Sequence, residues 1–143
     1  MAKTICKILG VVFILVGIIG FLAPGLLGMH LSLAHNLVHL ISGALALYFG
    51  FAGTLSAARL FCIVFGVVYG LLGVAGFLLG STGAHGAAGV PAGHHGATDS
   101  SLWALLPGSL ELASMDHIVH ILLALVFLVG GFLTRADIDR AID

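Results

Sequence analysis

The chain consists of long apolar runs separated by short polar or glycine-rich breaks. A helix needs about 20 predominantly apolar residues to cross the hydrocarbon of a bilayer, and four runs reach that length. They predict membrane-spanning helices over residues 6–28, 32–52, 58–80 and 116–134. The sequence lacks the apolar–polar alternation of a membrane β-barrel, and backbone groups in lipid must bond internally. We therefore predict an all-α membrane protein with four transmembrane helices.

The third and fourth predicted spans are joined by the longest connection, residues 81–115. Its first part, "STGAHGAAGVPAGHHGATDSS", is rich in Gly and Ala and predicts a flexible, exposed loop. Its second part, "LWALLPGSLELASM", is apolar and contains Trp103, a residue type enriched at membrane interfaces. This part predicts a short interfacial helix on the outer membrane surface. Residues 1–143 then form one four-helix membrane domain.

The first and third spans share a sequence pattern. "GVVFILVGIIGFL" (10–22) and "GVVYGLLGVAGFL" (66–78) are identical at 8 of 13 positions. The second and fourth spans match more weakly, with "HNLVHLISGALAL" aligned on "DHIVHILLALVFL". The pattern predicts two helical hairpins related by duplication, arranged as parallel repeats about an axis along the membrane normal.

Composition and charge agree with this picture and set the orientation. Hydrophobic residues make up 60% of the chain and charged residues 8%, which indicates a protein solvated by the lipid bilayer. The net charge of −1 gives no electrostatic basis for a nucleic-acid partner. Every cationic residue falls on one predicted side of the membrane: Lys3, Lys7, Arg59, Arg135 and Arg140. By the positive-inside rule, both termini are cytoplasmic.

All eight histidines fall on the opposite side or in the outer half of the membrane. Four lie near the outer ends of the second and fourth spans, as i,i+4 and i,i+3 pairs that share a helix face: His35, His39, His117 and His120. Asn36 and Asp116 accompany them as supporting residues, and the Asp116 carboxylate could fix the tautomer of an imidazole. We predict that His39 and His120 face the bundle interior, because polar side chains facing lipid are costly.

Three explanations of this polar cluster remain open. The histidines and Asn36 could hydrogen-bond between helices. They could instead bind a haem, a chlorophyll-type pigment or a transition metal. The third possibility is a role in proton transfer or beside a quinone, since imidazoles titrate near neutral pH. The external "GHHG" is more typical of a loop than of a metal site.

The sequence indicates no catalytic activity. Cys6 and Cys62 are predicted at the membrane face opposite the histidines, so they cannot form a nucleophilic Cys–His pair. Asp116 is the one carboxylate available within the bundle, which is too few for a di-iron site. No P-loop or dinucleotide fingerprint is present, and the span centres carry no charge that could relay ions.

The motifs "HNLVHL" in the second span and Asp116 with His120 in the fourth resemble a family of small four-span bacterial membrane proteins of unknown function. The resemblance covers nearly the whole chain and implies a multi-pass protein of the bacterial inner membrane. It implies no activity. This chain departs from the family pattern at His117, where the family usually has Asn.

Together these features predict a non-catalytic accessory or structural subunit that packs against other membrane protein subunits. The larger complex would be of respiratory or photosynthetic type. The alternative is a cofactor-binding membrane protein that uses His35, His39, His117 and His120 to ligate haem, a pigment or a metal.

Overall fold

The structure, a computed structural model, describes residues 1–85 and 98–135. These residues form four α-helices and three β-strands: α1 (Ala2–Gly20), α2 (Leu33–Phe51), α3 (Leu55–Leu79), β1 (Ser81–Ala84), β2 (Thr98–Leu106), β3 (Leu110–Leu112) and α4 (Ser114–Leu133). Each of the four helices is long and apolar enough to cross a membrane. The chain is therefore a mostly helical, multi-pass membrane protein.

Side-chain oxygens accept backbone N–H groups at the starts of three helices, from the residue before α2 and the residue before α3 and from Asp116 within the first turn of α4. The Ser32 hydroxyl accepts the His35 N–H at the start of α2 (3.3 Å), and the Thr54 hydroxyl accepts the Ala57 N–H at the start of α3 (3.1 Å). The Asp116 carboxylate accepts the Ala113 N–H at the start of α4 (2.7 Å). These caps satisfy backbone donors that have no partner within the helix.

The first helix differs from the predicted span of 6–28. It begins earlier, at Ala2, and ends at Gly20. Pro24 explains the early end, because a proline disfavours helical geometry at the preceding residue and donates no N–H. The chain then makes a 3₁₀ turn, Leu26–Gly28, and reaches α2 in an extended conformation.

The predicted interfacial helix within residues 81–115 is wrong, and the fold is therefore not purely α-helical. The described part of that connection forms an antiparallel sheet in the order β1-β2-β3, with Ser81 opposite Leu102 and Trp103 opposite Leu112. Gly108 has a φ of 73°, and the Ser109 N–H donates to the Leu106 carbonyl (2.9 Å). This is the geometry of a tight turn that places glycine at its third position. We call β1–β3 the sheet cap. The rest of the predicted loop, residues 86–97, lies outside the described residues.

The helices pack as two close pairs, α1 with α2 and α3 with α4. Glycines allow the close approach: a Cβ on Gly10 would lie 2.8 Å from the Leu47 side chain, and one on Gly66 would lie 2.7 Å from the Leu128 side chain. These two contacts correspond in sequence: Gly10 and Gly66 are 56 positions apart, and Leu47 and Leu128 are 81 positions apart. Further contacts follow the same offsets, with Gly17 against Leu40 and Gly73 against Ile121.

The two pairs meet at a core of aromatic rings in the middle of the bundle. Phe13 and Phe127 are fully buried, and Phe13 stacks on Tyr69 with ring centroids 5.5 Å apart. Nearer the helix starts of α1 and α3, the buried thiols of Cys6 and Cys62 lie 3.5 Å apart. Both cysteines are free and buried.

Charge and histidine separate to opposite ends of the bundle. The described cations Lys3, Lys7, Arg59 and Arg135 lie at the end away from the sheet cap, where α1 and α3 begin and α4 ends. Arg140 lies outside the described residues. The described histidines all lie at the capped end, and the candidate site is there.

Candidate functional site

The site is built from the first turns of α2 and α4, beneath the sheet cap. Six side chains predicted from the sequence lie there, and each is at most 4% exposed: His35, Asn36, His39, Asp116, His117 and His120. Helical spacing projects the residues of each helix inward, while the caps at Ser32 and Ala113 fix where each helix begins.

The carboxylate of Asp116 is bonded to backbone groups. Its Oδ2 accepts the N–H of Ala113 (2.7 Å) and the N–H of His30 (3.0 Å). The carbonyl of His30 lies 2.9 Å from Nδ1 of His35, and this nitrogen is 4.0 Å from Oδ1 of Asp116. Asp116 therefore fixes the loop before α2 onto α4, and the His30 carbonyl favours a proton on Nδ1 of His35.

Three histidines line one cavity of about 190 Å³ between α2, α3, α4 and the sheet cap: His35, His39 and His120. The rings of His35 and His39 stack with centroids 4.7 Å apart, and the His35 ring is 6.0 Å from that of His120. Behind them, His39 packs on Phe13 (5.5 Å) and His120 on Tyr69 (5.2 Å). The two imidazoles thus lie on equivalent aromatic supports from α1 and α3.

Three ring nitrogens of His39 and His120 lack hydrogen-bond partners within the part of the chain that the structure describes, whereas Nδ1 of His35 is paired with the His30 carbonyl. Among the described residues, Nδ1 and Nε2 of His39 and Nδ1 of His120 are buried and unpartnered. A neutral imidazole carries one donor and one acceptor, so each ring has bonding capacity that the described side chains and backbone do not use.

His117 and Asn36 lie apart from the cavity lining. Nε2 of His117 is 2.7 Å from the Ser101 carbonyl in β2, and its ring packs directly on Gly76 of α3. Asn36 donates to the Leu31 carbonyl (3.3 Å) and packs on Gly20 of α1. Both side chains therefore fill space left by a glycine of the paired helix. Neither hydrogen bond joins two helices, because Leu31 lies in the loop before α2 and Ser101 lies in β2. Among the described residues, Oδ1 of Asn36 and Nδ1 of His117 have no hydrogen-bond partner, so these two residues contact the paired helix by packing.

The remainder of the cavity wall is apolar except for the hydroxyl groups of Ser42 and Tyr69, and part of it opens sideways between α2 and α3. Val38 of α2 is 43% exposed and Val68 of α3 is 46% exposed, and Leu105 from β2 roofs the gap. These residues lie on the outward surface of helices long enough to span a membrane. The opening therefore faces the region that lipid would occupy.

The model of a protein family described as "Domain of unknown function (DUF4383)" matches residues 3–106. The chain belongs to this family. The matched segment contains α1, α2, α3, β1 and β2, and it ends before α4 with its histidines. The predicted membership in a family of unknown function is confirmed. No curated protein and no solved structure matches the chain.

A second polar cluster of this DUF4383 member was not predicted from its sequence. His30, His85 and Glu111 each offer one ligand atom, and these atoms lie within 4.8 Å of one another. The sequence predicts His30 in the loop between the first two spans, His85 in the exposed loop after the third span and Glu111 in the interfacial helix. The available signal was the position of all eight histidines on one side, but only the sheet brings Glu111 to them. His94 and His95 of "GHHG" lie outside the described residues.

Proposed function

We propose that this chain is a non-catalytic integral membrane protein that binds a lipid-soluble ligand through His39 and His120. The observation that carries the proposal is the set of unpartnered, buried imidazole nitrogens on a cavity with a sideways opening. The ligand supplies a polar group to the imidazoles and an apolar portion to the cavity wall.

The unpartnered imidazole nitrogens of His39 and His120 carry a free-energy cost that a ligand would remove. An unpaired polar group away from water costs on the order of 2–7 kcal/mol, depending on the reference state. His39 carries two such nitrogens and His120 carries one. A bound hydrogen-bonding or metal-centred group would remove this cost, whereas an empty apolar cavity would not.

The shape of the cavity supports entry from the membrane. Val38 and Val68 flank the opening, whereas His35, His39 and His120 lie deeper. A molecule with a polar head and an apolar tail would place its head against the histidines and its tail at the apolar opening. A quinone-like head would exchange hydrogen bonds with the imidazoles. A haem or chlorophyll-type macrocycle is too large for a cavity of about 190 Å³, so the geometry favours a smaller polar head.

The test compares the purified wild-type protein with the double variant His39→Ala/His120→Ala. We expect an organic extract of the wild type to contain one lipid-soluble compound in stoichiometric amount, and the variant to lack it. An absorption spectrum distinguishes a pigment or haem from a colourless ligand. His85→Ala, which lies outside the cavity, is the matched control and should retain the compound. Identical extracts from wild type and double variant would refute the proposal.

A second candidate is an accessory subunit of a larger membrane complex, of respiratory or photosynthetic type. It is supported by the apolar outer surfaces of the helices, where large side chains such as Leu15, Leu71 and Leu122 are exposed and would suit partner helices as well as lipid. Extraction from native membranes in mild detergent tests this candidate, which predicts co-migrating subunits. Migration of the chain alone would contradict it.

We further propose that the two helix pairs arose by duplication and that both termini are cytoplasmic in a bacterial inner membrane. The matching contacts at offsets of 56 and 81 positions support the first statement. The collection of described cations at the end opposite the sheet cap supports the second.

A further inference from the structure

The side chains of His30, His85 and Glu111 come together at the capped end from three separate segments. His30 lies in the loop before α2, His85 directly follows β1, and Glu111 lies within β3. Nε2 of His30 is 3.9 Å from Oε2 of Glu111, and the two imidazole rings are 4.3 Å apart. Two of the three residues are buried, and His85 is half-buried.

We propose that these three residues bind a divalent transition-metal ion, with Zn²⁺ as the reference ion. Two imidazoles and one carboxylate are a ligand set that zinc accepts, with the fourth position left to water. In such a site the ligand atoms are about 3.4 Å apart, given bonds of about 2.0–2.1 Å. The present separations of up to 4.8 Å close by small side-chain rotations, of which half-buried His85 has the most freedom.

The surrounding structure holds two of the three ligands in place. The N–H of His30 donates to Asp116, and its carbonyl lies 2.9 Å from Nδ1 of His35, so its backbone is fixed from both sides. Oε1 of Glu111 accepts the Gly108 N–H (2.8 Å), which leaves Oε2 directed toward His30. Preorganisation of this kind lowers the cost of ordering the ligands around the ion.

An unused nitrogen provides independent support. Nδ1 of His85 is buried and has no hydrogen-bond partner among the described residues. A metal bond or a bridging water would satisfy it, and an ion here would link the sheet cap to the loop that precedes α2. This site is distinct from the cavity at His39 and His120, and the proposal does not depend on the ligand proposed for that cavity.

The experiment is calorimetric titration of Zn²⁺ into the chelator-treated full chain in detergent, with metal analysis of the dialysed product. We expect one ion per chain, and roughly tenfold or greater weakening in both His85→Ala and Glu111→Gln. The glutamine variant keeps an oxygen for the Gly108 N–H, and His85 is half-buried, so both substitutions should preserve the fold. Circular dichroism checks that they do.

A control variant locates the ion. His39→Ala should bind Zn²⁺ as the wild type does, because the cavity is a separate site. Absence of stoichiometric binding by the wild type would overturn the proposal, as would unchanged binding by His85→Ala.

Discussion

At the scale of single residues, Asp116 shows how a conspicuous polar residue can have a structural role. Its position among histidines suggested a partner that fixes an imidazole tautomer. Its Oδ2 instead accepts two backbone N–H groups, from His30 and Ala113, while Oδ1 remains 4.0 Å from His35. The carboxylate therefore caps α4 and also holds the loop that precedes α2.

Substitution of Asp116 tests this role. Asp116→Ala removes both acceptors and leaves two buried N–H groups unpaired, so we expect a loss of about 1–3 kcal/mol in the free energy of unfolding. Asp116→Asn retains one carbonyl oxygen and should lose less. Unfolding of the detergent-solubilised protein by increasing SDS provides the measurement. An alanine variant as stable as the wild type would show that these bonds are dispensable.

Gly73 and Gly70, neighbours on α3, form a matched pair for testing the helix contacts. A Cβ at Gly73 would lie 2.6 Å from the Ile121 side chain and 2.8 Å from the His117 carbonyl, whereas one at Gly70 would meet only the Ala124 Cβ, at 3.4 Å. We expect Gly73→Ala to destabilise the protein by about 1–3 kcal/mol through overpacking. Gly70→Ala should be neutral to slightly stabilising, because its Cβ meets only an ordinary contact and the substitution gains helix propensity. The same unfolding assay compares them, and equal effects would contradict the packing argument.

At the scale of elements, the four helices could be predicted from hydrophobic length, whereas the sheet cap could not. The apolar stretch around Trp103 was long enough for an interfacial helix, and its Pro107–Gly108 pair was interpreted as an interruption of that helix. The pair instead forms the turn of a hairpin, with Gly108 at positive φ. Periodicity does not distinguish short apolar strands from helix segments, so the turn residues were the more informative signal.

The sheet cap should loosen in acid because of Asp99. Burial raises the pKa of Asp99, but hydrogen bonds from Ser114 and Ser101 and the charge of His85 lower it, and the net pKa lies below its ordinary value. A depressed pKa means that the carboxylate stabilises the fold above the unfolded pKa of about 3.9. That stabilisation is lost as the pH falls through the folded value.

Trp103, the only tryptophan in the chain, lies in β2 and reports on the cap. We expect its fluorescence in detergent to change as the pH is lowered below about 4. Asp99→Asn should remove this component of the transition, because the amide does not titrate. An identical acid transition in wild type and variant would show that another group is responsible.

At the scale of the whole molecule, sequence similarity within the chain predicted which residues would be structurally equivalent. His39 and His120 rest on Phe13 and Tyr69, and Asn36 and His117 rest on equivalent glycines. The sequence could not show that His117 has a different role from the histidines that line the cavity. That difference arises because His117 hydrogen-bonds to the Ser101 carbonyl in β2, a strand that was not predicted. Nor could the sequence assemble His30, His85 and Glu111, since their proximity depends on strand pairing.

The proposed orientation is testable with reporter fusions in a bacterial host. A green fluorescent protein fused after residue 143 should fluoresce, and alkaline phosphatase at the same point should be inactive, because the terminus is expected in the cytoplasm. Phosphatase fused after residue 80, at the end of α3, should be active. The reverse pattern would place the histidines on the cytoplasmic side.

The central claim is that the histidine cavity holds a ligand, and native mass spectrometry of the intact protein tests it most directly. The wild type, released from mild detergent, should carry one adduct of defined mass per chain. The adduct should be absent from His39→Ala/His120→Ala and present in His85→Ala. A wild-type spectrum that shows only the bare chain, or the same lipid adducts as the double variant, would contradict the account.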